Sequence, residues 1–185
     1  MTLYIIEHLE PKVFPWCKLE YAHISSVVGA EDLLITNTNS TALKKIAATT
    51  KESIHKNHIA YIQACVLDPE APQTLTPEIA AKHNCFIFGG ILGDYPPRKR
   101  TQEEVKLPLP RYNLGKEQMS TDTAVIVTYH IVNGTPLSKM KFQDGVDIEI
   151  KDGEEMHLPY RYLLVNGKPM LPPGLVEMLK KQKGF

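Results

Sequence analysis

Short apolar runs alternate with amphipathic segments along the first half of the chain. The runs that predict buried strands cover residues 3–6, 33–36, 59–67 and 85–88. Between the first two, apolar residues recur at three- or four-residue steps over residues 16–28, after Pro15 and before Gly29. This spacing predicts an amphipathic helix with proline in its first turn and glycine after its last.

Further elements are predicted from capping and turn residues. Residues 37–56 are polar with an apolar stripe and predict a helix with breaks, and Thr76-Pro77 predicts the start of a short helix that reaches Lys82. Residues 121–132 are ambiguous by periodicity, but N-cap residue types before them and Asn133-Gly134 after them favour a helix. The remaining predictions are short strands or extended segments at 141–142 and 147–150, a helical turn at 103–104 and a last helix at 173–181.

The alternation of strands and helices predicts an α/β fold. Right-handed βαβ units give a mostly parallel sheet flanked by helices. No linker divides the chain, so we expect a single domain over residues 1–185.

The composition excludes several classes of protein. The chain has 185 residues, 43% of them hydrophobic and 23% charged, which excludes disorder, collagen and membrane spans. Its 21 basic and 21 acidic residues cancel, so any nucleic-acid partner would need a local basic patch. Cys17, Cys65 and Cys85 are far apart and predict neither disulfides nor a metal site, and we expect a cytoplasmic protein.

Three segments are predicted to meet at one edge of the sheet. They are Leu67-Asp68-Pro69, residues 89–94 (GGILGD) and residues 114–123. Ligands of open α/β sheets bind beyond the carboxyl ends of the strands. The glycine-rich segment is neither a dinucleotide-binding motif nor a P-loop, and a tight turn without a ligand is the alternative interpretation.

The motifs together resemble a known family. The resemblance covers nearly the whole chain and is carried by residues 4–8, Trp16, 19–21, 67–69, 88–94, 96–98, 100–101, 113–115, 118–119, 121–125 and 159–162. Of these, GGILGD with Pro96-Pro97-Arg98, and Gln118-Met119 with TDTAV, are specific in this order and spacing. In them the chain resembles the SPOUT-class S-adenosylmethionine (SAM)-dependent methyltransferases of the fungal ribosomal-protein arginine methyltransferase type.

The resemblance implies both a fold feature and a cofactor. The C-terminal part of the sheet would be threaded as a deep trefoil knot, and SAM would be held mainly by backbone groups. The implied cofactor residues are Leu67, Gly89, Gly90, Ile91, Leu92, Gly93, Leu114, Gly115, Gln118, Met119, Thr121, Asp122 and Thr123.

Methylation of an arginine would require acids rather than a metal. Carboxylates bind the planar N–H fork of a guanidinium, and one must accept its proton. Asp94 and Glu7 are the leading candidates, with Glu20 and Glu117 in reserve. Glu7 fits equally well as a structural acid and Asp94 also fits a turn, while His8 is either a general base or a hydrogen-bonded structural residue.

Three functions remain open from the sequence. The first is methylation of an arginine in a ribosomal or translation-associated protein, which the neutral net charge favours. The others are RNA methylation by a SPOUT enzyme and a cofactor-binding or ribosome-associated module without activity. The chain is expected to be a monomer or a homodimer.

Overall fold

The computed structural model describes residues 2–56, 63–91, 100–151 and 153–181. The strands are β1 Leu3–His8, β2 Leu33–Thr36, β3 Ala48–Thr49, β4 Ala64–Leu67, β5 Cys85–Gly90, β6 Arg111–Tyr112, β7 Phe142–Lys151, β8 Glu154–Val165 and β9 Lys168–Pro169. The α-helices are α1 Pro15–Val28, α2 Pro77–Ala80, α3 Arg100–Glu104, α4 Thr121–Val132 and α5 Leu175–Lys181. Short 3₁₀ helices lie at Ala30–Asp32, Leu43–Lys45 and Leu137–Lys139.

Six strands form one parallel sheet in the order β3-β2-β1-β5-β4-β6. Ile6 at its centre pairs with Ile35 on one side and Phe88 on the other. The mostly parallel α/β sheet predicted from the sequence is thereby confirmed.

The core lies on both faces of this sheet. Tyr4 and Ile6 pack on the face covered by α1 and α4, whereas Ile5 packs on the opposite face with Ile54 and Val105. Side chains alternate between the faces of a strand, so a strand buried on both faces must be apolar at every position. This requirement explains the uninterrupted apolar run that predicted β1.

A second, antiparallel sheet is formed by β7, β8 and β9. Val146 and Leu158 of this sheet pack in one cluster with Leu175 and Leu179 of α5 and with Trp16 of α1. The two short strands predicted at 141–142 and 147–150 belong to one ten-residue strand, β7. Its partner β8 was not predicted.

The helix predicted over residues 37–56 is wrong. That stretch contains only the 3₁₀ helix Leu43–Lys45 and the two-residue strand β3. Asn37 has a φ of 58° and donates through Nδ2 to the carbonyl of His8 at 2.8 Å, and the Thr38 hydroxyl accepts from the Ser40 N–H at 3.3 Å. Such side-chain bonds to the backbone compete with helix formation.

The other predicted helices are present. Helix α4 has the predicted bounds, α1 begins one residue earlier at Pro15, and α3 contains the predicted turn. The Thr76 hydroxyl caps α2 by accepting from the Ile79 N–H at 3.3 Å, but α2 ends at Ala80 rather than Lys82. Helix α5 begins at Leu175 rather than Pro173. None of the helices in these ranges is long and apolar enough to cross a membrane.

Candidate functional site

The strand order places the three predicted segments at the same edge of the sheet. From β1 the chain moves outward to β2, while β5 and β4 lie on the other side of β1. The direction of winding therefore changes between β1 and β5, and ligands bind at such switch points. The carboxyl ends of β5 and β4 are adjacent there, because Val66 pairs with Ile87.

The glycine-rich segment contacts the start of α4 directly. The Thr121 hydroxyl donates to the Ile91 carbonyl oxygen at 3.2 Å. Thr121 is 30 residues later in the chain than Ile91. The second and third predicted segments therefore meet at the first turn of a helix, where backbone N–H groups lack partners within the helix.

The first segment contacts the residues that directly precede the third. The Asp68 N–H donates to the Tyr112 carbonyl at 2.9 Å, and Nδ2 of Asn113 donates to the Ala71 carbonyl at 2.8 Å. Leu67 and Leu114 are both buried in the core between the sheet and helices α1 and α4. The described parts of the three segments thus lie at one edge of the sheet, where strand-end reasoning places them.

Gly89 and Gly90 are required by the protein's own packing. A Cβ on Gly90 would lie 2.5 Å from the Tyr21 hydroxyl and 2.6 Å from Cγ2 of Ile6. A Cβ on Gly89 would lie 2.6 Å from Oγ1 of Thr101. Both glycines lie in β5, and the absence of a side chain lets the strand pass close to side chains of this chain.

The segment that leads into α4 contains a buried polar atom without a partner. Oε1 of Gln118 is enclosed and has no hydrogen-bond partner among the described residues. The Gln118 carbonyl accepts from the Arg161 N–H at 2.8 Å, and Met119 forms an isolated bridge with Arg161. Gly115, with a φ of +103°, turns the chain before this point. An unpaired acceptor suits a ligand with N–H or O–H donors, such as the amino group and ribose hydroxyls of a nucleoside.

Asp122 and Thr123 lie beneath the site. Both are fully buried. Oδ1 of Asp122 accepts from the Ser120 hydroxyl at 2.7 Å, and Oδ2 lies 2.8 Å from Nδ1 of His23. Oγ1 of Thr123 lies 2.9 Å from the Ser120 hydroxyl. Both side chains are thus engaged within the protein, which leaves the backbone of this turn as the group available to a ligand. Nothing in the sequence links His23 to Asp122, because 99 residues separate them.

Comparisons with known proteins identify the family. Residues 3–184 match the family described as "Protein arginine N-methyltransferase SFM1-like". The protein arginine N-methyltransferase SFM1 of Saccharomyces cerevisiae is 36% identical over 201 residues, covering 96% of this chain and 94% of the yeast protein. This chain belongs to the SFM1-like family.

Solved structures agree with the assignment to the SFM1-like family. The crystal structure of the yeast arginine methyltransferase SFM1 complexed with SAM has a TM-score of 0.88 and 35% identity to this chain. It covers 97% of this chain and 90% of the yeast chain. The dual-specific Trm10 of Thermococcus kodakaraensis is 16% identical to this chain, with a TM-score of 0.56. The match covers 75% of this chain and 96% of the Trm10 chain, and it shows similarity of fold alone.

The family resemblance inferred from the sequence is confirmed, and with it the predicted enzyme class and the predicted cofactor SAM. The similarity to Trm10 supports the SPOUT type of fold. The roles of individual residues in this SFM1-like chain stay predictions.

Glu7 lies at the carboxyl end of β1 on the face away from α1. Its Oε1 accepts from the Ser53 hydroxyl at 2.7 Å, and its Oε2 accepts from the Ile54 N–H at 3.0 Å and from the Thr36 hydroxyl. This buried carboxylate thus fastens residues 53–54 to the end of the sheet. Of the two interpretations open from the sequence, these contacts favour the structural one.

His8 lies on the other face, beside Gly90 in the β1–β5 register. Its Nδ1 is 2.9 Å from the Tyr21 hydroxyl. Burial lowers the pKa of His8, while Glu10, the backbone of Lys12 and Glu7 act in the opposite direction. Burial thus favours the neutral imidazole, and its Nδ1 forms a hydrogen bond with Tyr21 of α1.

The remaining candidates differ in position. Leu92, Gly93 and Asp94 lie outside the described residues. Glu117 is exposed, whereas Glu20 is buried between α1 and α4. Burial and the charge of Asp122 raise the pKa of Glu20 well above its ordinary value, against the effect of a hydrogen bond from Trp16.

Proposed function

We propose that this chain transfers the methyl group of SAM to an arginine of a ribosomal or translation-associated protein. The observation that carries the proposal is the hydrogen bond from Thr121 to Ile91, since it joins two of the segments that the resemblance assigns to the cofactor. Gln118, with its unpaired Oε1, and the backbone at Leu67, 89–91 and 114–123 would hold SAM.

SAM, when bound, supplies an electrophilic methyl carbon on a sulfonium, which an arginine nitrogen attacks in line to leave S-adenosylhomocysteine. The chain's own contribution is to hold the guanidinium and to accept one proton from the attacking nitrogen. We assign both tasks to Asp94, because the carboxylate of Glu7 already accepts three hydrogen bonds from the protein. A carboxylate that grips the N–H fork also orients the nitrogen, and orientation is a large part of catalysis.

Two further proposals concern the chain's threading, which the resemblance implies, and its location, which the cysteines suggest. We infer that the chain is threaded as a deep trefoil knot in its C-terminal part; an experimental chain trace that closes without a knot would contradict this. We also place the protein in the cytoplasm, a proposal supported by the free thiols of Cys17, Cys65 and Cys85. Fractionation of cells that carry the tagged chain tests this location.

Incubation with methyl-labelled SAM and ribosomal subunits tests the function. The label should enter protein, be released by protease and be recovered as methylarginine. Asp94→Asn should bind SAM but lose at least 99% of the rate, whereas Glu103→Gln, which changes an exposed acid of α3, should keep the wild-type rate.

Other outcomes would overturn the proposal. Label that ribonuclease releases would indicate RNA as the substrate. SAM binding without any transfer would indicate a cofactor-binding module. An unchanged rate in Asp94→Asn would remove the acid assigned here.

A further inference from the structure

Three buried ionisable side chains join α1 to the first turn of α4. Glu20 and His23 come from α1, and Asp122 comes from α4. Asp122 is 0% exposed and Glu20 is 4% exposed, so water cannot solvate either carboxyl group well. Buried charges must instead be satisfied by neighbouring groups.

Asp122 is the shared contact of this cluster. Nδ1 of His23 lies 2.8 Å from its Oδ2, and the Ser120 hydroxyl donates to its Oδ1 at 2.7 Å. Burial and the neighbouring charge of Asp122 raise the pKa of Glu20 well above its ordinary value. Two carboxyl groups this close disfavour a second negative charge, so Glu20 favours its protonated form.

Most of the groups around Glu20 disfavour a negative charge on it, and the Trp16 indole is the exception. The titratable groups that act on it or feel its charge are Asp122 of α4, Cys17 and Tyr21 of α1, and Tyr162 of β8. The Trp16 indole forms a hydrogen bond with Glu20. The hydroxyl of Tyr162 is itself buried and has no hydrogen-bond partner in the part of the chain described.

This cluster lies under the turn that touches the glycine-rich segment. Thr121, which bonds to Ile91, is adjacent to Asp122, and Gln118 is four residues before it. Movement of Asp122 away from α1 would therefore shift the groups proposed to hold SAM.

We propose that the Glu20–Asp122–His23 cluster positions the first turn of α4 for the cofactor, so that Glu20 and His23 are positioning residues for SAM. The inference rests on the proposed function. Neither side chain reaches the cofactor: each acts through Asp122. Because Glu20 serves as a neutral donor, glutamine can replace it, whereas alanine cannot.

Calorimetry with SAM at pH 7, together with the melting temperature of each variant, tests this proposal. Glu20→Gln should bind within about twofold of the wild type, and Glu20→Ala and His23→Ala should each bind at least fivefold more weakly. Leu43→Ala, which removes a buried side chain distant in sequence from the cluster, should lower the melting temperature without changing the affinity.

The comparison separates positioning from stability. Wild-type affinity in both Glu20→Ala and His23→Ala would overturn the proposal, as would equal loss of affinity in Leu43→Ala. If Glu20→Ala fails to fold, the SAM affinities of His23→Ala and Glu20→Gln still test the proposal. A wild-type chain that does not bind SAM would overturn the proposed function itself, and this inference with it.

Discussion

The Thr121 hydroxyl donates to the carbonyl of Ile91 across 3.2 Å, and so ties the end of the glycine-rich segment to the first turn of α4. We assign neither residue a direct part in the methyl transfer. Their contact matters because it sets the spacing between two peptide segments that the SFM1-like chain is proposed to fold around SAM.

Thr121→Val should weaken SAM binding about fivefold, since one net hydrogen bond contributes about 1 kcal/mol. Calorimetry measures the change. The matched control is Thr128→Val, which removes a hydroxyl that donates to the Ala124 carbonyl within the same helix. Equal affinity in the two variants would mean that the contact with Ile91 does not shape the site.

Gly90→Ala should destabilise the fold by about 1–3 kcal/mol, because the added Cβ collides with Tyr21 and Ile6. Urea denaturation measures the cost. In a Tyr21→Phe background the same substitution should cost less, since the hydroxyl 2.5 Å from the Cβ is gone. If Gly90→Ala destabilises the Tyr21→Phe variant as much as it destabilises the wild type, the Tyr21 hydroxyl is not what excludes a side chain at position 90.

Ser53→Ala should cost about 2 kcal/mol of stability, because its hydroxyl donates to the buried carboxylate of Glu7. Ser26→Ala is the control: that hydroxyl bonds to a neutral carbonyl, of His23, at 2.7 Å, so its loss should cost less than about 1.5 kcal/mol. Glu7→Ala should cost more than either, since it leaves three donors without their acceptor. Indistinguishable costs for the two serines would argue against Glu7 as an anchor.

The stability of the wild type should fall relative to Glu20→Gln as pH rises above about 4.5. In the unfolded chain Glu20 ionises at its ordinary pKa, whereas in the fold burial raises the pKa and the proton is retained. Between the two pKa values the folded state binds one proton more, so stability decreases with pH by up to about 1.4 kcal/mol per unit. Urea denaturation from pH 5 to 8 checks this, and parallel profiles for the two proteins would contradict it.

Elements specified by local sequence were predictable. The bounds of β2 and α4 follow from apolar runs flanked by turn and capping residues. The helix prediction for residues 37–56 was wrong because tertiary contacts determine the structure of this stretch. Asn37 forms a hydrogen bond with β1, and Ser53 and Ile54 form hydrogen bonds with Glu7. An apolar stripe alone does not reveal such partners.

Strand β8 was not predicted from the sequence for a different reason. Pro159 interrupts its pattern, and proline argues against a strand. In the structure Pro159 falls where the β7–β8 register shifts near Gly145, and it is not one of the paired positions. A bulge of this kind depends on the partner strand, which the local sequence does not specify.

The position of the candidate site was predictable, but its internal contacts were not. Strand ends located the three segments, because parallel strands present their carboxyl ends at one edge. Position 90 requires glycine because a Cβ there would collide with Tyr21. Asp122 has its partner, His23, on another helix. Both depend on which helices cover the sheet, and that information is not local.

Backbone hydrogen exchange with and without SAM tests whether the three segments fold around the cofactor. SAM should slow exchange together in residues 67–68, 89–91 and 114–123, while β7 and β8 exchange as before. Protection of only one of the three segments, or protection confined to the antiparallel sheet, would show that they do not form the cofactor site.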